Sequence, residues 1–209
     1  MEDSMKKLLW LLAFTFSALT TSFSSYAEYY QIDTEGAHAS IDFRIQHLGY
    51  SWMSGRFNTF SGDFSYNEQN PSAAKVEVTI DVASIDSNHA IRDKHLRGDK
   101  YLDTAKFPQA HFISTSFEQK DDKTGLLKGD FTLHGVTKPL TIEVTFVGHG
   151  KDPWLGYRRG FVGTTNFKLI DYGIDASQLG PSSETVYLTL SVEGIRRSIN
   201  DDAKQTVPW

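Results

Sequence analysis

Three of the chain's seven histidines fall within one polar stretch, Ser87 to Phe112, which reads SNHAIRDKHLRGDKYLDTAKFPQAHF. His89, His95 and His111, interleaved with Arg, Lys and Asp, are the residue types that hold a metal or move a proton. Zinc needs three or four convergent ligands, and helical zinc sites place two histidines four residues apart on one face. The stretch predicts a helix that Ser87 or Asn88 caps and Gly98 ends. At about 100° per residue, Ile91, His95 and Leu102 fall on one side, with His89, Arg92, Asp93 and Leu96 broadly on the other. His89 and His95 therefore point apart, and the helix offers at most His89 with Asp93 on one face. No metal and no cofactor are expected. Asp93 and Arg97, four apart, read as a solvated ion pair, with Arg92 and Lys94 completing a polar face.

Covalent catalysis finds as little support. The chain holds no cysteine, which excludes thiol nucleophiles and thiolate metal sites. No G-x-S-x-G elbow occurs, and GPSSE at 180–184 has ordinary turn composition. Asp121 with Asp122, and Asp201 with Asp202, are adjacent carboxylates in loop-like stretches, where nothing sets their pKa values apart for acid and base roles.

The elements around this helix are strands. Apolar residues alternate with polar ones in HASIDFRIQ, KVEVTIDVAS, LTIEVTFVG and VYLTLSVEG, and more weakly at 53–66, 109–119, 126–135 and 159–169. Period-two alternation marks strands with one buried face. Stretches rich in Gly, Pro, Asn and Asp separate them, as in NEQNPSA, KDDKTG, HGVTKP and GKDPWLG. Connections this short imply antiparallel neighbours. About eight such strands must either close or stack, and a single closed antiparallel barrel is favoured over a sandwich because closure removes exposed edges and leaves a lumen that accepts one ligand. The fold class is all-β, with one short helix between strands. A formal net charge of −5 argues against a nucleic-acid partner.

Aromatic rings crowd the early strands: Tyr50, Trp52, Phe57, Phe60, Phe64 and Tyr66. Together with the alternation they suggest an apolar lumen suited to a lipid. The inward set is Phe43, Ile45, Phe57, Phe64, Val78, Ile80, Phe131, Ile142, Val144, Phe161, Leu188 and Leu190. His47, Tyr50, Arg158 and Arg159 are candidate contacts for a polar head group. The reading that results is a binding protein and not an enzyme. Its alternative is a lipid-modifying isomerase or hydrolase using a histidine-containing site on the same barrel.

The first 27 residues stand apart from this domain. Lys6 and Lys7 precede an apolar run from Leu8 to Phe16, and Ser25, Tyr26 and Ala27 form a small-x-small cleavage site. This is the pattern of a secretory signal, and the run is shorter than the ~20 residues of a membrane span. Residues 28–195 form the domain, and 196–209 lack alternation and read as a tail.

Five ordered motifs, DFRIQHLGYSW, NHAIRDKHLR, KFPQAHF, LHGVTKPLTIEV and DPWLGYRRGF, resemble those of the YceI family of periplasmic proteins. The resemblance spans about 28–195. It implies a lipocalin-like barrel enclosing a long isoprenoid or similar amphiphilic chain, often as a homodimer, with no established enzymatic activity. The helical segment would then connect two strands, with Ile91 and Leu102 turned inward and the charges outward.

Cleavage after Ala27 would give a mature protein beginning at Glu28 in the periplasmic fraction. N-terminal sequencing of the fractionated protein checks this, and an intact Met1 or Met5 on a cytoplasmic product contradicts it.

Overall fold

A computed structural model describes residues 27–197. The leader, apart from Ala27, and the tail beyond Arg197 lie outside the described residues. Eleven β segments occur among these: β1 (Glu28–Ile32), β2 (Ser40–His47), β3 (Ser51–Phe57), β4 (Phe60–Tyr66), β5 (Lys75–Asp81), β6 (Ile85–Asp86), β7 (Gln109–Gln119), β8 (Thr124–Leu133), β9 (Val136–Lys151), β10 (Tyr157–Lys168) and β11 (Thr185–Arg197). Helix α1 (Ala90–Arg97) lies between β6 and β7.

Every pairing is antiparallel. The ladder runs β1-β4-β5-β7-β8-β9-β10-β11 and returns to β1, so eight strands close a barrel. The remaining three segments prolong strands of that ring. β11 pairs with β2 along Tyr187–Ser191 and with β1 along Gly194–Arg197, so β1 and β2 are successive stretches of one long strand. β3 and β4 form its hairpin partner, and β5 and β6 follow β4 and β3 in the same way. The weak alternation over 53–66 therefore marks one strand that breaks at Asn58 and Thr59. The stretch expected to be tail begins later than its composition suggests, because Arg196 and Arg197 still pair with Tyr30 and Tyr29.

Turn chemistry fixes the hairpins. His134 and Gly135 both have positive φ, 52° and 74°, which gives a two-residue connection between Leu133 and Val136 with the twist that adjacent strands require. Inside the barrel, rings lie over glycines of the neighbouring strand. A Cβ on Gly129 would stand 2.5 Å from the Phe112 ring, so only glycine admits that ring.

The helix departs from its expected cap and orientation. His89, not Ser87 or Asn88, caps it: its Nδ1 accepts from the Arg92 amide at 3.2 Å. Ser87 is engaged elsewhere, since its amide (2.9 Å) and hydroxyl both donate to Asp93 Oδ1, and its hydroxyl and carbonyl accept from Arg92. Asp93 is thus buried, while Ile91 is 65% exposed, the reverse of the expected inward and outward faces. Arg97 reaches not to Asp93 but to the carbonyls of Ala83 and Ile85, at 3.1 and 3.0 Å. The short loop before the helix has amides to satisfy, and a buried carboxylate does so at less cost than orphaned donors. Leu102 is buried as expected. His95 is exposed, and His111 lies on the next strand with Nδ1 3.1 Å from the Thr79 hydroxyl. The three histidines do not converge.

The packing makes a paired prediction measurable by urea unfolding. Asp93→Ala strands two buried donors and should cost about 2–3 kcal/mol. Ile91→Ala should stay within about 0.5 kcal/mol. A large loss at Ile91 with none at Asp93 would reverse this account of the helix.

Candidate functional site

Alternation along the closed strands turns one face of each into the barrel. Ile32 and Phe64, Val78 and Ile80, Phe112, Leu127 and Phe131, Leu140 and Ile142, Phe161, and Leu188 with Leu190 line a lumen interrupted by few hydroxyl groups, those of Ser65, Tyr66 and Thr165. Thr165 spends its hydroxyl on the Thr141 carbonyl at 2.7 Å. The cavity volume is ≈ 130 Å³. At about 10–15 Å³ of space per water, this is room for about ten waters.

The two ends differ. One is plugged by apolar side chains: Val82, Ile85, Leu102, Tyr172 and Ile174 join the core there, and Tyr172 meets the Phe131 and Phe167 rings at 5.5 and 5.1 Å. At the other end the lumen opens into a polar mouth. Tyr66, Phe117, Val144 and Phe161 border both spaces, and Glu68, Gln119, Asp121, Lys123, His149 and Arg159 line the mouth.

Arg159 governs this mouth. It occupies an inward position of β10, one step beyond Phe161, and is 3% exposed. Its guanidinium stacks over Tyr66 at 4.6 Å, with Phe146 and Tyr30 at 5.6 and 5.9 Å. It donates from Nη2 to Glu68 and from Nε to the Tyr30 hydroxyl at 3.3 Å. Burial works against its charge, but these acceptors outweigh burial and hold its pKa above the ordinary arginine value. Burial, reinforced by the hydrogen bond to Glu28, pushes the Tyr30 hydroxyl up to about 12, so it stays protonated. Glu68 is half exposed, with a side chain 51% accessible, and His149 approaches it at 3.7 Å. The mouth thus holds a fixed cation whose counter-ion is reached by water.

Arg158, one residue earlier, points outward. Its Nη1 donates to Asp33 Oδ2 at 2.6 Å and Glu193 Oε1 at 2.5 Å, and its Nε to Asp152 Oδ2 at 2.8 Å. Asp33, His38 and Glu193 present ligand-type atoms within 4.8 Å of one another, but the guanidinium takes the position between the carboxylates. Burial raises the Asp33 pKa, yet hydrogen bonds from His38, Arg158 and the Gly36 amide more than offset it and hold the carboxyl at about 2.

Among the expected lumen residues, Phe64, Val78, Ile80, Phe131, Ile142, Val144, Phe161, Leu188 and Leu190 line the cavity. Phe43 and Phe57 are not among its lining; they pack on each other at 5.9 Å, where β2 and β3 extend the wall, and Ile45 follows on the same extension. The four candidate head-group contacts separate. Arg159 is at the mouth, Arg158 on the outer wall, and His47 and Tyr50 at the opposite end, where Tyr50 is 88% exposed. Glu68 and Tyr30 were not singled out in the sequence. Tyr30 lies on β1, which is too short to announce itself by alternation, and Glu68 lies in a turn with no periodicity to place it.

Comparisons with known proteins agree with this geometry. A family model described as a YceI-like domain matches residues 30–194. A UPF0312 protein of Shewanella sp. strain MR-4 is 55% identical over 193 residues, covering 92% of this chain and 100% of its own. The Campylobacter jejuni YCEI protein superposes with a TM-score of 0.66 at 26% identity, over 74% of this chain and 91% of that one. A polyisoprenoid binding domain from Saccharophagus degradans, implicated in plant cell wall breakdown, aligns with a TM-score of 0.59 over 82% of this chain and 100% of that one. At 16% identity, that last likeness speaks for the fold alone.

The Arg158 cluster sets a pH dependence. Asp33 titrates lower in the folded chain than its ordinary value of 3.8, so its stabilisation is complete above about pH 4 and is lost as the pH falls through about 2. The melting-temperature gap between the native protein and Arg158→Ala should be widest above about pH 4 and shrink toward about pH 2. A gap independent of pH over that window would contradict the pairing.

Proposed function

Because the chain belongs to the YceI-like family and its barrel encloses an apolar lumen ending at a buried guanidinium, we propose that it is an exported binding protein for a long isoprenoid or similar amphiphilic lipid. The tail enters the lumen and the polar head stays at the mouth beside Arg159. The observation that carries this reading is the polarity profile along the barrel axis, from an apolar plug through an apolar lumen to a cation whose partner faces water. An enzyme needs a reacting centre where the substrate lies. The groups that meet the lumen are hydrocarbon apart from Ser65, Tyr66 and Thr165, and the hydroxyl–imidazole pair of Thr79 and His111 is on the outer wall.

The magnitudes suffice without an ion pair to the ligand. Burying hydrocarbon gains roughly 0.8 kcal/mol per methylene, so about ten carbons give ~8 kcal/mol. That corresponds to micromolar binding before the costs of ordering are subtracted. The head group needs only to keep its hydrogen bonds, which Arg159, Tyr66 and water at the mouth can supply. A ligand longer than the resting lumen requires the rings of Phe117 and Phe161, at the border of lumen and mouth, to turn aside. A domain that shares this fold is described as polyisoprenoid binding, which makes that ligand class the first to test. The leader pattern supports export to the periplasm, and a carrier returns its lipid unchanged.

The test blocks the lumen without charging it. Val144 is half-buried at the border of lumen and mouth, so Val144→Trp narrows the passage while leaving the plug intact. Native mass spectrometry after incubation with an isoprenoid quinone should show the lipid on the native protein and on a His89→Ala/His95→Ala variant, and none on folded Val144→Trp. Chemical analysis of the extract should recover the quinone unaltered. Loss of lipid from the double-histidine variant, retention by the blocked lumen, or turnover of the quinone would each overturn the reading.

A further inference from the structure

The β9–β10 hairpin runs on past His149 and Arg159, the pair that flanks the mouth. Its outward positions Gly148 and Gly150, paired with Gly160 and Arg158, have no atom within 4 Å of a Cβ placed there. The turn that ends it, 152–156, raises two large apolar residues into solvent: Trp154 is 76% exposed and Leu155 96%. Val147, at the irregular register of the same hairpin, is 67% exposed.

This tip is held, not loose. Asp152 Oδ1 accepts from the amides of Trp154 and Gly156, at 3.0 and 2.7 Å, and its Oδ2 from Arg158. The Asp152 amide donates to the Gly156 carbonyl at 3.1 Å. Leu155 sits at φ +69°, a conformation in which a branched side chain is strained and glycine would be at ease. The chain therefore keeps a leucine at the most exposed place in a pinned turn, where neither packing nor backbone favours it. At the other end Trp52 is covered, edge-on to Tyr187 at 5.4 Å with Arg44 over it at 4.7 Å, whereas Arg158 comes no nearer than 6.0 Å to the Trp154 ring. Tyr50, 88% exposed at that other end, presents a hydroxyl to water and has no exposed leucine of like degree beside it, Leu48 being 49% exposed.

We propose that Trp154 and Leu155 form a membrane-docking tip that sets the lumen mouth against a lipid bilayer. The inference rests on the lipid-binding reading, since a water-insoluble cargo must enter from a membrane. Tryptophan prefers the level of the lipid head groups and leucine the acyl chains just beneath. Exposed Lys151 beside the turn suits the phosphates of that surface. Because the tip and the mouth share one end of the barrel, the contact that anchors the protein also shortens the path of a lipid tail from bilayer to lumen.

Flotation of lipid-free protein with vesicles of phosphatidylethanolamine and phosphatidylglycerol reads docking directly. Transfer of an isoprenoid quinone from the same vesicles reads its consequence. The Trp154→Ser/Leu155→Ser variant should lose flotation and transfer quinone about tenfold more slowly, which corresponds to about 1.4 kcal/mol of lost apolar contact. Quinone supplied from ethanol should bind that variant as tightly as the native protein, and Trp52→Ser should behave as native in all assays. Equal flotation and transfer by the tip variant and the native protein, or a native protein that neither floats nor takes quinone from vesicles while binding it from ethanol, overturns the docking tip. A tip variant that keeps flotation but shifts from dimer to monomer by light scattering overturns it in favour of a second copy. Failure to bind quinone from any source counts against the lipid-binding reading instead, and flotation still decides the tip.

Discussion

The pairing of Tyr29–Ile32 in β1 with Gly194–Arg197 in β11 joins the two ends of the folded domain. Without it the sheet would keep two free edges and could flatten, and its apolar face would meet water. With it, eight strands are committed to a circumference whose interior is just wide enough for side chains and one slim ligand. Two features of the sequence make closure possible there. Gly194 leaves room for the Phe64 ring, and Phe64 stacks on Tyr30 at 4.8 Å with an interplanar angle of 8°. The seam is thus packed from inside as well as hydrogen-bonded along its edge.

Closure also creates the polarity profile on which the functional reading depends. Seven of the ring's strands could be apolar throughout without defining an orientation for a ligand. β10 does so by following the inward series Phe167, Thr165, Gly163 and Phe161 with Arg159. A buried guanidinium carries a desolvation cost of several kcal/mol unless its donors and faces are used. Here they are, by Glu68, the Tyr30 hydroxyl and three aromatic rings. Glu68 remains half exposed, so the pair can loosen for an incoming oxygen without leaving either charge dry. Arg158, its chain neighbour, faces the other way because strands alternate, and serves to bind Asp33, Asp152 and Glu193 across three stretches of the outer wall.

Most strands were legible in the sequence because half-buried strands must alternate, and every alternating stretch became a strand. HASIDFRIQ became β2, which prolongs the ring, whereas β1, the strand that closes it, is too short to announce itself by alternation. The breaks that split β1 from β2 and β3 from β4 were not, since Asp33–Ala39 and Asn58–Thr59 interrupt the pattern without ending the strand. The helix misled for a related reason. Its polar composition suggested a solvated face, but Asp93 is consumed by the amide and hydroxyl of Ser87, a local need that periodicity does not record. Among the candidate head-group residues the sequence named Arg158 and Arg159 together; strand alternation sends Arg159 inward and Arg158 outward, a distinction that needs the strand's facing to be known. Nothing in the sequence told which end of the barrel His47 and Tyr50 occupy, because that follows from the direction of β2 along β11.

The central claim is that hydrocarbon lies inside the barrel with its head toward Arg159. Methyl-labelled isoleucine, leucine and valine in the protein loaded with an unlabelled isoprenoid quinone test it by intermolecular nuclear Overhauser effects. The account predicts contacts from the prenyl chain to Ile80, Ile142, Leu127 and Leu188, contacts from the quinone ring to Val144, and none to Ile113 or Ile170, which are 52% and 57% exposed on the outside. Contacts confined to Ile113, Ile170 or Ile91, with the lumen methyl groups silent, would place the lipid outside the barrel and contradict the account.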